Sequence, residues 1–310
     1  MIVTPRHRNT TYAIAAILVL FAGLFSPSDA ADISIDIGSL SVVSVSPDGN
    51  AIAAAIEGYE GIPDDSNDPM VVRWWNWNGA DGRWIVPAYR VRALAWAADG
   101  SSLLVGGWTE DRFPVVPWWR LGAGGEIRAA CKGLPIGSER RFGPMERGVA
   151  SIAELTDGKV VTGGYDGTLA VWEGCSPNWL TSKKTCCFEP QTITVTPRGT
   201  GFDATGEGIW QGLKRGYKNL PPRHWSPSPW KAAPIKIRAD LAGKTDPKTR
   251  QANGDDCTAT IDSSGRITVA GAHPWTASIG ADDWISLAAN RNCQTVAAAT
   301  SGRIVKVTPP

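Results

Sequence analysis

Histidine, metal-ligand spacings and helical periodicity are all scarce in this 310-residue chain, and each shortage removes a class of function. Of its 3 histidines only His224 and His273 lie beyond residue 30. No His-x-His or Cys-x-x-Cys pair supplies the spacing that zinc sites take. No Gly-x-Ser-x-Gly elbow marks a nucleophile. The run Asp64, Asp65, Asn67, Asp68 carries the hard oxygens that calcium prefers. It lacks the loop glycine and closing glutamate of a calcium hand, so it reads as a solvated acidic loop. No motif calls for a metal or a cofactor, and catalysis is a minority reading. Apolar residues at helical spacing are missing beyond residue 30, which excludes a helical bundle.

Turn formers are plentiful instead, with 34 glycines and 22 prolines. The stretch Val149 to Gly174, VASIAELTDGKVVTGGYDGTLAVWEG, holds three short apolar strands and two tight turns. Asp157-Gly158 turns the chain, Val160 to Gly164 returns it, and Asp166-Gly167 leads into Thr168 to Trp172. Asp-Gly pairs supply the positive φ that two-residue hairpin turns demand. Degenerate copies run over Val42 to Glu57, Val91 to Trp108, Thr192 to Trp210, Thr258 to Gly271 and Ile285 to Thr300. Their turn positions, Gly49, Gly100, Gly158, Gly199, Gly265 and Cys293, stand 51, 58, 41, 66 and 28 residues apart.

Such a unit cannot bury its faces alone, and repetition near every ~40 to 50 residues predicts propeller blades. The expected fold is therefore an all-β propeller of six four-stranded antiparallel blades. A seventh blade is the alternative, in Lys214 to Gly254, where PPRHWSPSPWKAAP breaks the pattern and an irregular insertion is the first reading. Asp32 to Gly38, DISIDIG, alternates as one strand with one buried face. Paired with Arg303 to Val307, it would close the last blade and leave no free edge at the seam.

The string GGYDGTLAVW, preceded by TDGKVV, and the SPDG of Ser46 to Gly49 resemble the WD-repeat propellers. In that family a turn Asp, a Trp ending the third strand, a His from a Gly-His pair and a Ser/Thr form a hydrogen-bonded network in each blade. The resemblance carries these roles to Asp166, beside Gly167, and to Trp172. No blade has the Gly-His pair, and Glu173 stands where the family has Asp. The resemblance implies a divergent member, held by packing more than by that network and acting as a non-catalytic protein-interaction scaffold, while the N-terminal segment makes it an exported bacterial one.

The N-terminus is a separate object. Arg6, His7 and Arg8 precede the apolar run Ala13 to Phe25, and Ser28-Asp29-Ala30 offers a small-x-small cleavage site. Residues 1–30 read as a secretory signal peptide, leaving 31–310 as one domain in the periplasm or outside the cell, with no stable membrane insertion. Export makes disulfides plausible for Cys131, Cys175, Cys186, Cys187, Cys257 and Cys293. A local staple from Cys175 to Cys186 or Cys187 is the first expectation, and Cys257 with Cys293 the second. The adjacent pair Cys186-Cys187 is also a feature of quinoprotein alcohol dehydrogenases, but their repeated tryptophan docking motif is missing, and two separate disulfides read better.

Charge is unevenly placed. Residues 31–127 carry 13 acids and 6 bases, whereas residues 128–310 carry 16 acids and 23 bases. Blades follow one another around the ring, so an acidic sector should oppose a basic one and steer charged partners. Loops between second and third strands of the first two blades gather Glu57, Glu60, Asp64, Asp65, Asp68, Glu110 and Asp111 beside Tyr59 and Trp108. That surface suits a basic protein partner or a cation over Trp108. The basic counterpart lies in Lys214 to Arg250, and export excludes nucleic acid as its target.

The 15 tryptophans divide further. Trp96 and Trp172 read as core. Trp74, Trp75, Trp77, Trp118 and Trp119 read as third-strand residues whose alternate members face opposite sides of the blade. Trp225, Trp230 and Trp275 read as exposed rings that anchor an interface or stack on sugars. Protein interaction is the leading expectation, ligand or glycan binding through Trp108, Trp225, Trp230 and Trp275 the second, and an enzyme with a site at the central channel the third.

Overall fold

The computed structural model describes residues 31–34, 39–57, 70–77, 81–86, 90–108, 118–122, 124, 126–131, 149–164, 169–181, 192–210, 217–227, 231–234 and 250–310. All the regular structure described is β, in six four-stranded antiparallel sheets. The first strand, β1 (Ala31–Ser34), is set aside until the end of the chain. Blade 1 is β2 (Ser39–Val45), β3 (Ala51–Glu57), β4 (Met70–Asn76) and β5 (Asp81–Val86). Blade 2 is β6 (Arg90–Trp96), β7 (Ser102–Trp108), β8 (Trp118–Gly122) and β9 (Ile127–Cys131). Blade 3 is β10 (Val149–Glu154), β11 (Val160–Gly164), β12 (Leu169–Glu173) and β13 (Ser176–Thr181). Blade 4 is β14 (Thr192–Arg198), β15 (Gly201–Trp210), β16 (Tyr217–Ser226) and β17 (Lys231–Pro234). Blade 5 is β18 (Arg250–Asn253), β19 (Cys257–Ile261), β20 (Arg266–Gly271) and β21 (Trp275–Ser278). Blade 6 takes β22 (Ser286–Ala289), β23 (Val296–Ala299) and β24 (Arg303–Val307), and β1 completes it. The closing register, Ile33 opposite Ile304 and Ser34 opposite Arg303, is the seam anticipated from DISIDIG.

Both faces of the inner strands are apolar because each blade is sandwiched between two others. In β3, Ala53 and Ala55 join the core shared with blade 2, while Ile52, Ala54 and Ile56 join the core shared with blade 6. The same period of two sorts the tryptophans: Trp74 turns toward blade 2, Trp75 and Trp77 toward blade 6, Trp119 toward blade 1 and Trp118 toward blade 3. Trp118 meets Trp172 edge-on across the seam between blades 2 and 3, centroids 6.0 Å apart. Full burial of a side chain of Leu or Ile size contributes about 1.5–3 kcal/mol, so these seams hold the ring.

Three expectations need correcting. The Asp157-Gly158 hairpin is not a two-residue turn: Leu155 through Lys159 connect the strands, and only the glycine takes positive φ, at 81°. The Leu155 amide closes the loop on the Lys159 carbonyl at 2.8 Å, and the Gly158 amide on Leu155 at 3.0 Å. Secondly, Gly265 belongs to the second hairpin of blade 5, between β19 and β20. The true first strand is Arg250–Asn253, and the first hairpin sits near Gly254, which changes the uneven gaps of 66 and 28 residues to 55 and 39. Thirdly, the described residues of the stretch from 214 to 254 supply β16, β17 and β18 to blades 4 and 5, and the rest of it lies outside the described residues. Pro221 and Pro222 cannot donate to a ladder. They fall where one residue of β15, Thr205 between Ala204 and Gly206, stands against two of β16, Pro221 and Pro222 between Leu220 and Arg223.

Two disulfides clamp neighbouring blades. Cys257 and Cys293 join blades 5 and 6, as the sequence led us to expect. Cys175, however, bonds Cys131 and not Cys186 or Cys187. The turn between β12 and β13 brings Cys175 beside the end of β9, with Cα atoms 4.9 Å apart, a proximity that 44 residues of sequence separation conceal. Disulfides of this kind form in oxidising compartments. Among the described residues no helix is long and apolar enough to cross a membrane.

Candidate functional site

Antiparallel order puts the turns between first and second strands, and between third and fourth, on one face of the ring. On that hairpin face the first turns repeat one construction. The Oδ1 of Asp48, Asp99, Asp157 and Asn292 accepts the backbone amide two residues on, at 3.0, 2.9, 3.3 and 3.1 Å. The next residue takes positive φ, glycine in three blades and Cys293, at 52°, in blade 6.

Hydrogen bonds then run from blade to blade around this face. Trp96 Nε1 donates to the Ser44 carbonyl at 3.3 Å, joining blades 2 and 1. The Ala98 amide donates to Glu154 of blade 3 at 2.6 Å. The Thr156 amide donates to the Gly199 carbonyl of blade 4 at 3.0 Å. Arg198 Nη1 donates to the Gly254 carbonyl of blade 5 at 2.6 Å. The Asp255 amide donates to the Arg291 carbonyl of blade 6 at 2.7 Å. Asn290 Nδ2 donates to the Pro47 carbonyl of blade 1 at 3.4 Å and completes the circuit. Every seam is thus tied at its rim, and the face is stiff.

Two hollows open within this frame. The axial channel, about 300 Å³, is lined by all six first strands and carries Glu154, Gln251, Asn253, Asp255, Asn290 and Arg291 among its polar groups. A second cavity of about 330 Å³ lies at the seam of blades 1 and 2, between the turns at Asp48 and Asp99. Trp74 and Trp96 line it, with Asn76 and Ser102. Trp74 is set by Gly82, where any Cβ would come within 2.5 Å of the indole nitrogen. The Ser46 hydroxyl and the Asn50 amide hold the Asp48 carboxyl below the usual range. The Ser101 amide and hydroxyl do the same for Asp99. Both are therefore anionic at neutral pH, and no Lys or Arg among the described residues is paired with either. Arg120, the cation felt by Asp99, is engaged by Glu154 and the Ser102 hydroxyl.

From sequence Trp96 reads as core, Trp74 as a third-strand residue, and the two aspartates as turn formers. The signal that could have found the pocket is the recurrence of Pro-Asp-Gly and Ala-Asp-Gly turns in adjacent blades, each flanked by a strand carrying an inward Trp.

The expected site residues fare differently. Trp275 is a core residue, 9% exposed, and its indole donates to the Cys293 carbonyl at 2.9 Å, so it offers no exposed ring. Trp225 is half-buried and stacks on Phe202, centroids 6.2 Å apart and 10° from parallel, against the core between blades 3 and 4. Its neighbour His224 meets Asp203 at 2.8 Å, and Asp203 in turn accepts Arg198 Nε at 3.0 Å. Trp172 is fully buried and donates to Thr162 Oγ1 at 2.7 Å, a partner the sequence had not singled out. Trp108 ends β7, and its side chain lies outside the described residues. Tyr59, Asp64, Asp65, Asp68, Glu110, Asp111, Trp230, Asp166, Gly167, Cys186 and Cys187 also lie outside them. The acidic stretches 58–69 and 109–117, between the second and third strands of blades 1 and 2, lie outside the described residues. No family model matches the chain, and no curated protein matches it.

Proposed function

We propose that this chain is an exported binding module of the WD-repeat type, which holds a protein partner on the propeller and performs no chemistry of its own. In this reading residues 1–30 are a signal peptide, and the remainder works in the periplasm or outside the cell. The observation that carries it is the circuit of hydrogen bonds around the hairpin face, because a stiff surface loses little conformational entropy on docking. The two inter-blade disulfides suit an oxidising compartment. The acidic composition of blades 1 and 2 favours a basic partner. A glycan-binding reading loses two of its four rings, since Trp225 and Trp275 are packed.

The test is affinity capture from an envelope extract on the immobilised protein, at low and at high salt. A defined protein partner released by salt is the expected result. Retention of glycans or a small molecule with no protein contradicts the proposal.

A further inference from the structure

We infer that the cavity between blades 1 and 2 takes the guanidinium of an arginine side chain from a protein partner, an inference that rests on the module reading and names the chemistry of its contact. The cavity, about 330 Å³, stands at the small end of ligand pockets, sized for one side chain more than for an extended ligand. Trp74 and Trp96 are among the residues that line it, and indoles attract cations. Its rim carries Asp48 and Asp99, one from each turn. Neither is ion-paired with a Lys or Arg among the described residues.

Asn76 supplies a third polar group. Its amide makes no hydrogen bond to any described residue, and its carbonyl oxygen adds a neutral acceptor. Carboxylates on two separate turns and an amide on a third element line the cavity and supply several acceptors. A planar guanidinium with five fixed donors meets such an arrangement better than the compact ammonium of lysine, and it also stacks on indoles. The Asp48 and Asp99 turns are themselves fixed by their serine and asparagine hydrogen bonds, so the acceptors are in place before the ligand arrives.

The test uses N-acetyl-arginine amide, with the neutral isostere N-acetyl-citrulline amide as control, followed by the indole NH signals of the isotopically labelled protein. The Trp74 and Trp96 signals should shift saturably with the arginine compound and stay still with citrulline. Asp48→Asn with Asp99→Asn keeps an Oδ1 acceptor in each turn and removes both charges. It should weaken binding at least tenfold while the other indole signals keep their positions. Equal response to arginine and citrulline, or unchanged affinity in the double variant, overturns the inference. Capture repeated with the double variant separates the two ideas. A partner held equally by both proteins leaves the module reading standing and overturns the arginine contact, whereas saturable arginine binding with no protein captured overturns the partner and keeps only a guanidinium site.

Discussion

The Ala98 amide of blade 2 donates to the Glu154 carboxylate of blade 3 at 2.6 Å, so a turn in one blade is capped by a side chain of the next. The other carboxylate oxygen takes Arg120 at 2.5 Å, and the Glu154 side chain is only 8% exposed. Removing one partner of a mostly buried charged pair leaves the other unsatisfied. Glu154→Ala should cost about 3 kcal/mol, and Glu154→Gln, which still accepts one bond, about half that. Urea unfolding monitored by tryptophan fluorescence checks both.

Cys293 combines a disulfide with a left-handed backbone, φ 52°, at the position glycine holds in the first turns of blades 1 to 4. Loss of the Cys257–Cys293 bond should cost about 2–4 kcal/mol. In a Cys257→Ser background, Cys293→Gly should then retain about 1 kcal/mol more stability than Cys293→Ala, because glycine carries no Cβ penalty there. Thermal unfolding of the two double variants gives the difference.

Gly49 and Gly158 share a positive φ, 75° and 81°, but not their surroundings. A Cβ at Gly158 meets nothing within 4 Å, whereas one at Gly49 would come within 2.3 Å of Thr295 Oγ1, across the seam to blade 6. Gly158→Ala should cost about 1 kcal/mol from backbone conformation alone. Gly49→Ala should cost about 2–3 kcal/mol, as the seam must also give way. Chemical denaturation of both proteins decides whether the turns pack between blades as described.

The propeller was legible because short apolar strands recur along the chain and Asp-Gly marks the first turns of blades 1 to 3. What misled was local. Arg250–Asn253 is a strand with a single buried residue, Ala252, so it has no apolar rhythm, and the Ser-Ser-Gly of the next hairpin imitates a first turn. Tyr217–Ser226 hides behind two prolines that a register shift absorbs. The rim circuit and the pocket at the first seam were invisible because their members come from turns about 50 residues apart, and no periodicity records which turns meet. Trp275 looked exposed because it follows a polar loop, yet it opens an edge strand whose inner side faces Cys293.

Acid should weaken the fold through its turns. Asp262 accepts Ser264 Oγ at 2.6 Å, the Ser264 amide at 2.9 Å and the Arg266 amide at 3.0 Å, and these bonds, the Ser264 hydroxyl foremost, lower its pKa. Asp48 is lowered chiefly by the Ser46 hydroxyl, and Asp99 chiefly by the Ser101 amide. A carboxyl depressed in the folded state stabilises above its unfolded pKa, about 4, and that contribution is lost as pH falls through the lower folded value. Stability should be flat from about pH 6 to 5 and fall below about 4. Asp262→Asn should shrink that fall, as measured by urea midpoints across the range.

The most direct measurement is capture from envelope extract on the wild-type protein beside the Asp48→Asn, Asp99→Asn double variant, at low and high salt. A protein partner retained by the wild type, released by salt and lost with the two charges is the predicted result. Identical retention by both, or glycan or small-molecule retention with no protein, contradicts the assignment of this propeller as a module that grips a basic partner at the seam of its first two blades.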